Sequence, residues 1–162
     1  MNEQELAKIV ETVVQSVGGR EQVSSSCEDV TLDMAKKLIA AVEQRAAQMG
    51  VNAVIAVANR GANPVAVHCM DNSYIASYDI AFNKAYTCAA LKMPTTQLKT
   101  LSQPGGDLYG IQHTNNGRIV IFGGGIPIVV DGQCIGGLGV SGGSEAQDTE
   151  LAEFAQTIIQ NM

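Results

Sequence analysis

The segment GRIVIFGGGIPIVVDGQCIGGLGVSGG, from Gly117 to Gly143, decides the class of fold that this sequence predicts. It holds ten of the chain's 17 glycines, interspersed with the valines and isoleucines that favour strands. Near its centre lies Asp131-Gly132, a dipeptide typical of the tight turn between two antiparallel strands. The segment therefore predicts a β-hairpin, within about three strands between residue 117 and the last helix.

A second hairpin is predicted upstream of this segment. Two apolar stretches, AVIAVA (53–58) and PVAVHCM (64–70), flank the turn sequence NRGAN (59–63). The glycine and asparagines of NRGAN suit a turn with positive φ. Two further antiparallel strands are therefore expected here.

Helices are predicted before, between and after these strands. Thr31 can cap a helix that ends near Gly50, and Ser144 with Gln147 forms a capping box at the start of the last helix. The middle helix, residues 73–93, is rich in alanine, so another element should pack very close to it.

Strands joined by hairpins pair antiparallel, and amphipathic helices must cover them. The predicted class is therefore α+β, an antiparallel sheet flanked by α-helices. Residues 95–116 are polar and rich in turn formers, and we expect them to be irregular. The GGGIP sequence leads into a strand rather than opening a helix, which argues against a nucleotide-binding loop.

A short amphipathic helix is predicted over residues 1–18, followed by a polar linker (19–29) and the main domain (30–162). Its apolar stripe follows helical spacing and consists of Leu6, Ile9, Val10, Val13, Val14 and Val17. A helix this short is marginal unless its apolar face is covered. We expect it to dock on another protein. The alternative is that it folds back on its own domain or mediates self-association.

Composition excludes several classes of function. The formal charge is −6 and no Lys/Arg stripe is present, so nucleic acid is not an expected partner. No apolar run approaches the roughly 20 residues of a membrane span, and no signal peptide is recognisable. The four cysteines form no CxxC pair and suit small buried side chains. A cytoplasmic protein is expected.

Two segments together carry a family resemblance. MDNSYIASYDIAFNKAYTCAAL (70–91) and IVIFGGGIPIVVDGQCIGGLGVSGGSEAQD (119–148) resemble the GlcG/HbpS family, which includes the C-terminal domain of PduO. The resemblance runs from residue 30 to the C-terminus. It implies a profilin-like fold, a homo-oligomer and a link to haem or to corrinoid metabolism. It implies no shared catalytic reaction.

A second resemblance concerns ELAKIVETVVQSVGG (5–19), which is similar to the encapsulation peptides of bacterial microcompartments. That resemblance implies a location in a microcompartment lumen and contacts with shell or cargo proteins. The associated metabolism would be of the diol, choline or ethanolamine type.

Two histidines are candidate ligands for haem iron, since a neutral imidazole is the common axial ligand. His113 lies in the loop sequence LYGIQHTNNGR (108–118) and His68 lies on a predicted strand. Alternatively, His68 simply faces solvent, as strand alternation allows. Met70, Tyr109 and Cys69 are weaker options.

Lys84 and the backbone amides of Gly123, Gly124 and Gly125 form a candidate cradle for a carboxylate such as a haem propionate. The alternative is structural, with Lys84 pairing across an interface. The family signature is matched at Asp71, Ser77, Asp79, Gly139 and Ser141. In the alternative, Ser77 and Asp79 satisfy nearby backbone groups.

No catalytic set is predicted. Ser141 in GVSGG matches a hydrolase pattern, but both histidines precede it, whereas that fold places its histidine last. The leading hypothesis is a haem-binding protein of a microcompartment. The alternatives are an interaction or scaffold protein without cofactor, and an auxiliary enzyme acting on a corrinoid or small metabolite.

Overall fold

The computed structural model describes residues 29–161, so the predicted N-terminal helix and all of its linker except residue 29 lie outside the described part. The helices and strands follow in the order α1 (Leu32–Gln48), β1 (Val54–Asn59), β2 (Pro64–Cys69), α2 (Ser77–Leu91), α3 (Thr95–Leu101), β3 (Gly125–Val130), β4 (Gln133–Ser141) and α4 (Glu145–Ile159). Two 3₁₀ turns, Ile111–His113 and Asn115–Gly117, lie between α3 and β3.

The four strands form one sheet in the order β2-β1-β4-β3, and every pairing is antiparallel. The predicted α+β class is therefore confirmed. Asp131 and Gly132 make the turn between β3 and β4 with φ values of 50° and 74°. Two successive positive φ values are what a two-residue hairpin turn requires, which explains the Asp-Gly sequence.

Helices cover both faces of the sheet. On one face α1 and α4 pack on a large aliphatic cluster that includes Leu38, Ile55, Ile128, Leu138 and Leu151. On the other face α2 packs on Val54, Ala56 and Ala58 of β1 through Ala81 and Ala85. The first core is built from large side chains and the second from small ones.

The glycines of β4 allow α2 to approach the sheet closely. A Cβ atom at Gly137 would lie 2.8 Å from the Ala89 nitrogen, and one at Gly139 would lie 2.7 Å from the Ala85 nitrogen. Any side chain at either position would therefore push α2 away from β4. The close packing expected of this alanine-rich helix is confirmed.

Both predicted ends of α1 and the predicted start of α4 are also confirmed, whereas the helix predicted over residues 73–93 runs from Ser77 to Leu91. Thr31 Oγ1 accepts a hydrogen bond from Met34 N at 3.2 Å, and Ser144 and Gln147 form both hydrogen bonds of a capping box. Gly50 follows α1 with φ 68°, and Val51 N donates to Ala46 O at 2.9 Å. This is the left-handed helix ending that favours glycine.

Three expectations were wrong in detail. Only two strands follow residue 117 in the described chain, because Val120 N donates to Thr87 Oγ1 and Gly123 N to Glu145 Oε1 rather than to a neighbouring strand. Residues 95–101 form helix α3, held by the buried Leu98. In the NRGAN turn the positive φ falls on Ala62, at 58°, and not on its glycine or asparagines.

None of the helices in residues 29–161 combines the length and apolar character that crossing a bilayer demands.

Candidate functional site

Lys84 lies at the centre of a buried polar cluster. Its side chain, on α2, has no solvent exposure. The Nζ atom donates to Asp148 Oδ2 at 2.9 Å and to Val140 O at 2.7 Å, and it lies 4.9 Å from the centre of the Phe122 ring. Burial lowers the pKa of the Lys84 ammonium below its usual value, and the Asp148 carboxylate opposes that change. The lysine therefore pairs within its own chain.

Glycines make the space that this lysine occupies. A Cβ atom at Gly124 would lie 2.7 Å from Lys84 Nζ, and one at Gly139 would lie 2.8 Å from Lys84 Cβ. Gly124 also has φ +105°, a conformation that other residues rarely adopt. The lysine extends through a gap in the side-chain layer and reaches Asp148 on α4, a helix of the opposite face.

Two of the three amides in the predicted cradle already donate to side chains of this chain. Gly123 N donates to Glu145 Oε1 at 2.9 Å and Gly125 N donates to Thr95 Oγ1 at 2.9 Å. The prediction of free amides is therefore wrong for Gly123 and Gly125. A carboxylate does lie at Gly123, but it belongs to Glu145.

Glu145 connects this cluster to the surface. Its carboxylate accepts two hydrogen bonds from Lys99 Nζ, at 2.9 and 2.7 Å. The hydrogen bonds from Lys99 and from the Gly123 amide lower the pKa of Glu145 below its usual value. The glycine run is thus held between α3 and α4 by side chains of both helices.

A cavity of about 270 Å³ adjoins the cluster at the start of α4. Ser77 and Ser141 line it, and Ser141 Oγ donates to Ser77 Oγ at 3.1 Å. No histidine is among the described residues that line this cavity. The described lining therefore gives Ser141 no imidazole partner of the Ser–His kind.

His68 lies on the sheet face that carries α1. It pairs in register with Ile55 of the large core, and its Nδ1 atom is 3.0 Å from Glu43 Oε1 on α1. The side chain is about half exposed. The expectation that His68 faces solvent agrees with this exposure.

His113 is exposed in the first 3₁₀ turn, on the α2 side of the molecule. Its Nε2 atom is 3.4 Å from Gln112 Nε2. Two residues later, Asn115 Nδ2 donates to the Tyr86 hydroxyl of α2 at 3.2 Å. His68 therefore lies beside α1, whereas the turn that carries His113 is tied to α2.

Sequence reasoning missed Arg118. Its guanidinium carbon lies 3.6 Å from the centre of the Tyr86 ring and 5.2 Å from that of Phe82. The spacing of Phe82 and Tyr86, four residues apart on a helix, is the signal that could have indicated an aromatic flank. The contact between Arg118 and these two rings could not be predicted from the spacing alone, because Arg118 is distant in sequence.

Of the remaining signature residues, Asp71 and Asp79 are exposed and Gly139 is buried against α2. Among residues 29–161, no three His, Cys, Asp or Glu side chains are grouped so that they could hold a metal ion.

Comparison with known proteins gives a family match. The model described as "Haem degrading protein HbpS-like" matches residues 30–157. A 15.0 kDa protein of Citrobacter freundii, encoded in the dhaT-dhaS intergenic region, is 46% identical over 126 residues, which are 78% of this chain and 89% of that protein. The corrinoid adenosyltransferase PduO of Salmonella typhimurium strain LT2 is 37% identical over 76% of this chain but only 37% of PduO.

Solved structures resemble the fold closely. Protein ORFY of Klebsiella pneumoniae is 39% identical, with a TM-score of 0.81 over 88% of this chain and 98% of that one. A structure described as a PduOC:haem complex is 36% identical, with a TM-score of 0.73 over 75% of this chain and 88% of that one.

Proposed function

The chain belongs to the HbpS-like family, and from this premise we propose that it is a haem-binding protein. The observation that carries the proposal is the likeness to the PduOC:haem complex, at 36% identity over 75% of this chain. The haem in that structure belongs to PduOC. The level of identity makes the same ligand class the first one to test here.

Within residues 29–161 no three metal-binding side chains are grouped, so this part of the chain suits haem better than a metal ion bound by protein alone. A porphyrin supplies four nitrogen ligands, so one axial side chain is enough to hold the iron. His113 is exposed and in reach of a ligand. His68 is the second candidate, and it would have to leave Glu43, 3.0 Å away.

Titration of the full-length chain with haemin, followed at the Soret band, tests this proposal. We expect a saturable red-shifted band at micromolar haemin with one haem per chain or per small number of chains. A linear, non-saturable rise in absorbance, equal to that of haemin in buffer without protein, would overturn the proposal. That outcome would favour the scaffold hypothesis, in which the chain acts through its surface without a cofactor.

We also propose a location for the protein. Residues 1–18 would act as an encapsulation helix, residues 19–29 as a linker and residues 30–162 as a homo-oligomeric haem-binding domain in a microcompartment. The relatives support the context, since one is PduO and another is encoded between dhaT and dhaS. The corrinoid alternative rests on PduO, of which this chain matches only 37%.

Fusion of residues 1–19 to a fluorescent protein tests the location in cells that make microcompartments. We expect fluorescent foci that co-purify with the shells. The control replaces Ile9 and Val13 with Asp, which removes the apolar stripe and leaves the length unchanged. Diffuse fluorescence of the fusion, with chains lacking residues 1–19 still reaching the shells, would contradict the proposal.

A further inference from the structure

An open apolar corner lies between α2 and β2. Helix α2 packs mainly on β4, β1 and β3, so the face of β2 on the same side remains open: Val67 is partly buried and Cys69 is exposed. Phe82 of α2 packs against the same small cluster as Val67. Tyr78, Phe82 and Tyr86, at intervals of four residues, line one flank of α2. We call these five residues the α2 corner.

Arg118 lies on the wall of the α2 corner. Its guanidinium stacks on the Tyr86 ring, with 3.6 Å from Cζ to the ring centre, and its Nε donates to Asn83 Oδ1 at 3.3 Å. Within residues 29–161 no carboxylate forms an ion pair with Arg118. A stacked guanidinium with only neutral partners is a ready site for an anionic group, because it is already oriented and its charge is not compensated.

His113 is tied to the same flank. Thr114 Oγ1 donates to Asn115 Oδ1 at 2.9 Å, and Asn115 Nδ2 reaches the Tyr86 hydroxyl. The turn that carries His113 is thereby fixed at Tyr86. His68, by contrast, lies on the other face beside Glu43.

We propose that the α2 corner is the porphyrin-binding surface, an inference that rests on the proposed haem function. The aromatic flank and β2 would cover the apolar macrocycle, Arg118 would pair with a propionate, and His113 would be the imidazole nearest the iron. A porphyrin is planar and apolar and carries two carboxylates. It therefore matches both the aromatic flank and the guanidinium of Arg118. A second copy of the chain, the other possible occupant, would have to bring an acidic group to Arg118.

The test uses metal-free protoporphyrin IX, whose fluorescence reports binding without an iron ligand, and its dimethyl ester, which lacks the carboxylates. We expect Arg118→Gln to weaken binding of the diacid about tenfold, the loss of one charge-assisted hydrogen bond. The same variant should bind the ester as the parent chain does. Arg60→Gln, an exposed arginine at the β1–β2 turn, is the matched control and should leave both affinities unchanged.

Tyr78→Ser gives a second variant at a half-exposed position, where folding is not at risk, and it should weaken diacid and ester alike. If the parent chain binds haemin and both variants keep the parent's porphyrin affinity, the α2 corner is not the porphyrin-binding surface, but the proposal of haem binding stands. No binding of haemin or porphyrin by the parent chain would overturn both proposals. If the variants sediment differently but bind porphyrin as the parent chain does, the α2 corner is an interface between copies of the chain and the proposal is wrong.

Discussion

The Lys84 ammonium and the Asp148 carboxylate lie 2.9 Å apart, almost without solvent, although 64 residues separate them in the chain. Lys84 is on α2 and Asp148 is on α4, so the ion pair joins helices on the two faces of the sheet. Asp148 Oδ1 also accepts a hydrogen bond from Gly143 N at 2.9 Å. The pair thereby fixes the start of α4.

Removing one member of this pair should destabilise the protein strongly. Asp148→Ala leaves a buried ammonium without its counter-ion, and we expect a loss of about 3–5 kcal/mol in the free energy of unfolding. Urea unfolding followed by circular dichroism measures it. Glu150→Ala is the control, because its ion pair with Arg45 is exposed and contributes about 0–1 kcal/mol. Equal losses in the two variants would contradict the central role of Asp148.

A side chain at Gly137 should prevent native packing. Gly137→Val would place its Cβ against the backbone of α2 at Ala85 and Ala89, which cannot yield as a flexible side chain can. We expect insoluble protein or loss of the cooperative thermal transition. Gly105→Ala is the comparison, since its Cβ would meet open space and only the positive φ of 84° opposes it, at roughly 1–2 kcal/mol. A soluble, cooperatively folding Gly137→Val would show that α2 need not lie so close.

The iron ligand should be a histidine, with His113 contributing more than His68. His113→Ala should shift the Soret maximum and weaken haemin binding, because His113 is exposed and no carboxylate pairs with it among residues 29–161. His68→Ala, which removes a ring beside Glu43, should leave the spectrum unchanged. An intact spectrum and affinity in the double variant would exclude both histidines and make a non-histidine ligand the next candidate.

Acid should destabilise the protein through Glu145. Its pKa is lowered in the folded state, so the unfolded chain binds the proton more readily and stability falls as the pH drops through the folded-state pKa. Glu145→Gln should lower the free energy of unfolding at pH 7. It should also flatten the pH dependence of that free energy below pH 4.5, the ordinary pKa of a glutamate side chain. Urea midpoints between about pH 7 and pH 3 measure this. Parallel curves for parent and variant would contradict it.

Local signals in the sequence predicted most of the fold. The Asp131-Gly132 turn, the Ser144–Gln147 capping box and the Thr31 cap each depend on residues within three positions of one another. Their geometry is set by these residues and their immediate neighbours in the chain. The antiparallel pairs β1–β2 and β3–β4 then follow, because a hairpin leaves no other pairing for its two strands. The pairing of β1 with β4, which joins the two hairpins into one sheet, is distant in sequence.

The candidate site was less predictable because its contacts are distant in sequence. Spacing cannot show that Lys84 meets Asp148, or that Glu145 occupies the Gly123 amide, 22 residues away. The third strand was predicted from the residues between Gly117 and Gly125, yet their backbone bonds go to side chains of α2 and α4. Tertiary partners overrode local preference there.

The buried lysine also constrains how this sequence can change over time. Lys84 fills a space that exists only because Gly124 and Gly139 lack side chains, and its charge is acceptable only while Asp148 is present. Replacing the lysine by a short residue would leave a cavity, whereas enlarging either glycine would displace the lysine. Substitutions at these four positions are therefore expected to be correlated, because a change at one of them would need a compensating change at another.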